Sequence, residues 1–230
     1  MRVGKRLDKI LSLINFDASV VADIGTDHGI LAFKILTEHK ATRVIATDIS
    51  EPSLHKAIEI KNKYNLGENY VCLVGDGFKP LEKESQIDIV VVAGMGGNEI
   101  VKILKEKPER LNIKKYIFQP MQDVMVLREY LIGNGYEIII DETVKDRGKF
   151  YSTIMCEYVG GKNQVGVEEV VVGKTDRFLR GMDFIEWLNT EISKQQQREE
   201  YLNDEKKQIL DALKKIKLEN EEKNKIWKTC

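Results

Sequence analysis

Val20–Leu31 reads VVADIGTDHGIL, and its interpretation decides the fold. An apolar run ends at Asp23. The next residues crowd a second aspartate, two glycines and a histidine into one turn before apolar residues resume. Strand, glycine-bearing turn, then helix is the entry to a nucleotide-binding α/β fold. Yet Asp27 stands where a second glycine of a Gly-x-Gly loop would lie.

The pattern continues outward from this turn. Ile30–Thr37 reads as a helix, 43–49 as a strand ending at Asp48, and a helix follows Ser50-Glu51-Pro52 to about Tyr64. Residues 70–76 form a third strand. The β-branched run 87–94 forms a fourth, suited to burial on both faces. A helix to about Glu106, a strand at 115–120 and a helix at 124–132 complete the alternation. The rhythm then breaks. Residues 136–144 and 150–159 are strand-like with only KDRGK between them, too short for a parallel crossover, so this pair is antiparallel. The expected fold is α/β: a Rossmann-like sheet of the class I methyltransferase outline, closing in an antiparallel hairpin.

Upstream, Val3, Leu7, Ile10, Leu11 and Ile14 make one apolar face of an N-terminal helix. Downstream of Gly160-Gly161 the chain turns polar. From about residue 176 it reads as helical, with stripes at Phe178, Met182, Ile185, Leu188 and Ile192, then Leu202, Ile209, Leu213, Ile216 and Trp227. A helical hairpin or short coiled coil fits, too thinly apolar to stand alone. The expected organisation is therefore 1–160 as a catalytic domain and 161–230 as a helical appendage.

Composition narrows the class. No apolar run approaches a membrane span, and the N-terminus mixes charge into its apolar residues, unlike a signal peptide. Cys72, Cys156 and Cys230 form no Cys-x-x-Cys pair, so neither zinc nor a disulfide framework is indicated. These readings place the chain in the cytoplasm, without a metal. Oligomeric state is not legible, and a monomer is the default expectation. With 36 basic and 37 acidic residues the net charge is −1, which argues against a general cationic coat. Local basic clusters remain: Arg2, Lys5, Arg6 and Lys9; Lys102, Lys105, Lys107, Arg110, Lys114 and Lys115; Lys145, Arg147 and Lys149. Each alone reads more simply as a solvated surface.

Asp23, Asp48 and Asp76 close three successive predicted strands. In such a sheet, ligands bind at the carboxyl ends of the strands. Asp48 is placed to accept from ribose hydroxyls, and Asp76, before Gly77, to meet an adenine amino group. Any one of them alone can equally be a helix cap. A pyrophosphate needs bare backbone N–H groups, and the carboxylates of Asp23 and Asp27 would repel it. S-adenosylmethionine carries a sulfonium and an ammonium instead, so the turn favours the methyl donor over NAD. His28 suits the methionine end, the substrate or a helix cap. AGMGG (93–97) either faces the transferred methyl in this architecture, its glycines letting a flat substrate approach, or is a tight strand-to-helix turn with no substrate role. Gln119, before Pro120, either meets a base edge or simply ends its strand.

DIGTDHG, TDIS, GDG, AGMGG and QP, in this order, resemble the bacterial tRNA (adenine-22, N1) methyltransferase family over nearly the whole chain. The resemblance implies S-adenosylmethionine as donor and N1 of a D-arm adenine in tRNA as acceptor. It implies cofactor contacts at Asp23, Gly25, Thr26, Asp27, His28, Asp48, Ile49, Asp76, Gly77, Ala93 and Gly94. The transfer residues would be Asp27, Met95 and Gln119, and the RNA contacts Arg2, Lys5, Arg6, Lys145, Arg147 and Lys149. Met121 departs from the Gln-Pro-Asn of that family, and the tail is shorter than in some relatives. Three other readings stay open: a methyltransferase of a small molecule or protein, a nucleotide-binding module without turnover, and an RNA-binding protein that keeps a vestigial donor pocket.

Overall fold

The computed structural model describes residues 3–14, 18–173 and 181–229. After helix α1 (Lys5–Leu13) come β1 (Ala18–Ile24), α2 (Ile30–Thr37), β2 (Ala41–Asp48), α3 (Glu51–Lys63) and β3 (Tyr70–Val74). Then follow β4 (Gln86–Ala93), α4 (Gly97–Lys105), β5 (Asn112–Gln119), α5 (Val124–Gly133), β6 (Tyr136–Asp146) and β7 (Lys149–Tyr158). Seven strands form one sheet in the order β3-β2-β1-β4-β5-β7-β6. The first five are parallel, and β7 joins β5 antiparallel with β6 outermost. The connections reverse direction between β1 and β4, which opens a crevice at their carboxyl ends.

Alternation along the strands builds two apolar layers. Ala22, Ile24, Val90 and Val92 face Ile100 and Leu104 of α4 and Leu127 and Leu131 of α5. Val21, Val44, Val91 and Ile117 face Ile10 and Leu11 of α1, with Leu31 and Ile35 of α2 and Leu54 of α3. The predicted hairpin is present, with a tighter link than KDRGK suggested: only Arg147 and Gly148 separate the strands, at φ 48° and 78°. Two successive positive φ values match a type I′ turn, whose twist suits a hairpin.

Among its described residues the tail holds three helices, α6 (Val167–Val172), α7 (Met182–Gln196) and α8 (Asp204–Thr229). The sequence reading missed α6, six residues without a full apolar period. Phe178 lies outside the described residues, as does the side chain of Trp227. The stripe itself shifts: Met182 is 88% exposed, and Phe184 is buried with Leu188, Ile192, Leu210, Leu213 and Ile216. This small core is tied to the sheet by a buried guanidinium. Arg128 of α5 donates to the carboxylate of Asp141 on β6 at 2.7 and 2.9 Å, and to the Val170 and Val171 carbonyls of α6 at 3.2 and 2.9 Å. Among the described residues no helix is long and apolar enough to cross a membrane.

Candidate active site

The turn after β1 is held in an unusual backbone conformation by its neighbours. Gly25, Asp27 and Gly29 have φ of 73°, 51° and 71°. Asp27 is a non-glycine residue in the left-handed region, where aspartate is among the better tolerated side chains. Its backbone N–H donates to Asp48 Oδ2 at 2.9 Å, while Asp48 Oδ1 accepts from Ser50 N at 2.8 Å. Asp48 thus fixes the β1 turn and the start of α3 together. A side chain at Gly25 would collide with Met95 Cε, and one at Gly29 would collide with Tyr70 and Ala57.

These contacts shape a cavity of about 460 Å³ at the crevice, lined by Asp23, Gly25, Thr26, Asp27, His28, Asp48, Ala93, Gly94 and Met95. That volume lies within the roughly 300–1,000 Å³ of small-molecule sites. Nine of the residues expected from sequence therefore meet in one place. Arg6, Leu7, Ile30, Leu31 and Met121 complete the lining. The sequence reading gave no cavity role to the first four of these and assigned Arg6 to RNA phosphates. The apolar stripe of α1 docks that helix across the crevice and carries Arg6, next to Leu7, into its mouth. The pairing of α1 with the crevice is tertiary, and no local spacing announces it.

Four expected residues lie elsewhere. Ile49 is 71% exposed, just past Asp48. Asp76 is in the loop beyond β3, ion-paired with Lys79 at 2.9 Å. Gly77 packs toward Ile103. Gln119 is fully buried: its amide donates to the Pro120 carbonyl at 3.1 Å, and its oxygen accepts from Arg6. Both ends of the Gln119 amide are thus engaged within the protein, at the strand end before Pro120. The AGMGG glycines also divide. Gly94 lines the cavity, whereas Gly97 lets α4 approach the backbone of Asp123, where a side chain would collide.

The electrostatics are lopsided. Asp23 is 2% exposed, and burial raises its pKa from 3.8 to about 6, against the hydrogen bonds from the Thr26 hydroxyl and the Ala32 backbone. The nearby charge of Asp48 pushes in the same direction as burial. Thr26 Oγ1 donates to Asp23 Oδ2 at 2.6 Å. Asp27 Oδ2 and His28 Nδ1 lie 2.5 Å apart, and Lys56 reaches His28 Nε2 from α3. Because an ammonium can only donate, the neutral imidazole carries its proton on Nδ1 and gives it to Asp27. Three carboxylates and one guanidinium face one small volume.

The residues expected to contact RNA converge in part: Arg6 and Arg147 line one cavity between α1 and the hairpin, and Lys5 and Arg147 line a neighbouring one with Asp8 and Asp146. Arg2 lies outside the described residues. Lys5, Arg147 and Lys149 are exposed, while Lys145 pairs with Glu186 of α7. The Lys102–Lys115 cluster is largely neutralised by carboxylates: Lys102 with Glu99, Arg110 with Glu82, Lys114 with Asp88 and Lys115 with Glu157. Lys114 and Lys115 sit at the start of β5, whereas the cavity lies at the strands' far ends.

A parallel sheet of this order, ending in an antiparallel hairpin with acids at its switch point, defines a class I cofactor-dependent transferase domain. The chain belongs to the methyltransferase domain family, whose model matches residues 3–154. The tRNA (adenine(22)-N(1))-methyltransferase of Bacillus subtilis is 30% identical over 158 residues, 68% of this chain and 66% of that protein. The crystal structure of the B. subtilis M1A22 tRNA methyltransferase TrmK superposes with a TM-score of 0.78 at 25% identity, covering 94% of this chain and 98% of that one. M. capricolum TrmK, solved with S-adenosyl-homocysteine, shares the fold: TM-score 0.79 and 24% identity, over 94% of this chain and 96% of that one.

Proposed function

We propose that this chain transfers a methyl group from S-adenosylmethionine to N1 of an adenine in tRNA, the adenine at position 22 of the D-arm. The observation that carries the reading is the carboxylate-rimmed cavity at the switch point. Its donor set fits a ligand with cationic groups and ribose hydroxyls, and it opposes a diphosphate. The names of the B. subtilis relatives supply the acceptor.

When bound, S-adenosylmethionine supplies an electrophilic methyl group. Asp48 would accept from its ribose, and Asp23 and Asp27 would face its cationic end. Adenine N1 carries no proton at neutral pH, so the chain needs no general base, and placement supplies most of the rate. The base gains positive charge as it is methylated. Asp27, whose side chain is 64% exposed at the cavity, is the carboxylate placed to stabilise that charge. N1 lies on the pairing edge, so the adenine must leave the stack to react.

In this reading residues 1–160 form the catalytic domain, with Met95 at the transfer point. Residues 161–230, with Arg2, Lys5, Lys145, Arg147 and Lys149, contact the tRNA, and the monomer works in the cytoplasm. The test is incubation with methyl-labelled donor and total tRNA. Label should enter ribonuclease-sensitive material and map to N1 of adenine 22. Label in ribonuclease-resistant material, or binding of NAD in place of S-adenosylhomocysteine, sinks the proposal.

A further inference from the structure

Arg6 is a cation held in place by neutral groups. Its guanidinium donates to the Oε1 of buried Gln119, approaches Met121 Sδ at 3.8 Å and lies 5.6 Å from the centre of the Tyr151 ring. Among the described residues every one of these partners is uncharged. Gln119 is itself pinned through its bond to the Pro120 carbonyl, so Arg6 rests on a rigid strand end. A half-buried guanidinium fixed in this way makes no ion pair among the described residues, although Asp23, Asp27 and Asp48 line one cavity beside it and Asp146 the other, and it carries five N–H donors in a planar fork. It lies on the boundary of two cavities. One is the carboxylate-rimmed cavity, where Arg6 Nη1 comes near Gly94. The other, of about 280 Å³, runs between α1 and the hairpin to Arg147 and Tyr151.

We infer that Arg6 is the oxyanion-binding residue of this site, taking the carboxylate or phosphodiester that one of the two reactants brings to the mouth. The inference rests on the proposed reading and extends it to a residue that the charge pattern had placed on an outer RNA surface. The donor carries an α-carboxylate, and three carboxylates plus one guanidinium complement a ligand with cationic groups and a single anion. The RNA carries a phosphodiester beside every base, and the second cavity leads outward past Arg147. The shared chemistry is a pair of oxygens received by a planar fork. The part that falls to Gln119 is then to hold Arg6 without neutralising it. A carboxylate there would hold the guanidinium equally well and satisfy it internally.

The test uses the full-length chain with Arg6→Leu, Arg6→Lys and Gln119→Glu, reading S-adenosylhomocysteine affinity and tRNA affinity separately, with thermal melting as a check on folding. Losing a charge-assisted pair should cost roughly tenfold to a hundredfold in the affinity of whichever ligand brings the anion. Arg6→Lys should lie between wild type and Arg6→Leu, because it keeps the charge and loses the fork. Gln119→Glu should weaken the same ligand, although it adds an ion pair. A loss confined to S-adenosylhomocysteine assigns the carboxylate. A loss confined to tRNA, with a shallower salt dependence, assigns the phosphodiester. If Arg6→Leu folds and leaves both affinities unchanged, or if Gln119→Glu folds and binds as wild type, the inference is wrong while the methyltransferase reading stands. A wild-type protein that binds neither ligand overturns the reading itself, and the inference with it.

Discussion

Asp23→Asn should make the ligand-free protein more stable at neutral pH while damaging its function. Asp23 is buried, and its pKa rises from 3.8 to about 6, chiefly through desolvation. A carboxyl whose pKa is raised on folding favours the native state while protonated. That contribution is complete below about pH 3.8, fades as pH rises, and is gone above about pH 6. Each pH unit of displacement is worth about 1.4 kcal/mol, so the ionised side chain costs about 3 kcal/mol at pH 7.5. Asparagine is nearly isosteric, and its carbonyl can still accept from Thr26 Oγ1, which lies at 2.6 Å in the wild type. The assay is urea unfolding of both proteins, without ligand, at pH 4.5, 6 and 7.5. The variant should gain up to about 3 kcal/mol over wild type at pH 7.5, and the gap should close toward pH 4. Donor affinity should move the other way: lower in the variant, and in the wild type rising as pH passes through 6, because a bound cation favours the ionised acid. A stability difference that is flat across this pH range, or a variant less stable at pH 7.5, would refute the account of Asp23 as a desolvated acid waiting for a cation.

Other substitutions probe other links. Gly25→Ala should cost about 1–3 kcal/mol in unfolding free energy, since it combines a positive φ with a collision against Met95. Adding Met95→Ala should recover only the steric part, as read from urea midpoints. Arg128→Met should cost about 3–5 kcal/mol, because it leaves the buried carboxylate of Asp141 without its guanidinium. A chain ending at residue 160 should melt below one ending at residue 173, which retains the carbonyls that Arg128 reaches. Asp27→Asn should lower turnover at saturating donor and tRNA, and unchanged turnover would remove its role in stabilising the methylated base.

The sheet was legible because its strands announce themselves twice, by β-branched runs and by the acids that end them. Asp23 and Asp48 converge because β1 and β2 are neighbours in parallel register, Asp23 opposite Ala46 and Ile24 opposite Thr47. Asp76 ends an equally clear run but lies one strand further out, and the cavity does not reach it. Sequence order could not reveal that difference. Helix α6 was missed because its six residues span no full apolar period, and the groups that hold it, the apolar tail core and the Arg128 guanidinium donating to its last turn, are distant in sequence. Gln119 reads from sequence either as a ligand contact or as a plain strand end for a related reason. A polar residue at a strand end suggests a ligand contact, and only the docking of α1 shows that Arg6 already occupies it.

Charge explains how one mouth can serve two reactants of opposite character. A methyl donor brings cations, and an RNA brings phosphates, so a uniformly acidic pocket would repel the second and a uniformly basic one the first. The chain separates the two demands by element. The carboxylates come from the ends of β1 and β2 and the turn between β1 and α2, fixed by mutual hydrogen bonds such as Asp27 N–H to Asp48. The guanidinium comes from α1, across the crevice, braced by the end of β5. Among the described residues Arg6 makes no ion pair with those carboxylates, and the group that braces it is an amide. Gln119, which contacts no cavity space of its own, thereby keeps Arg6 available, and an acidic residue at that position would close the site electrostatically without filling it.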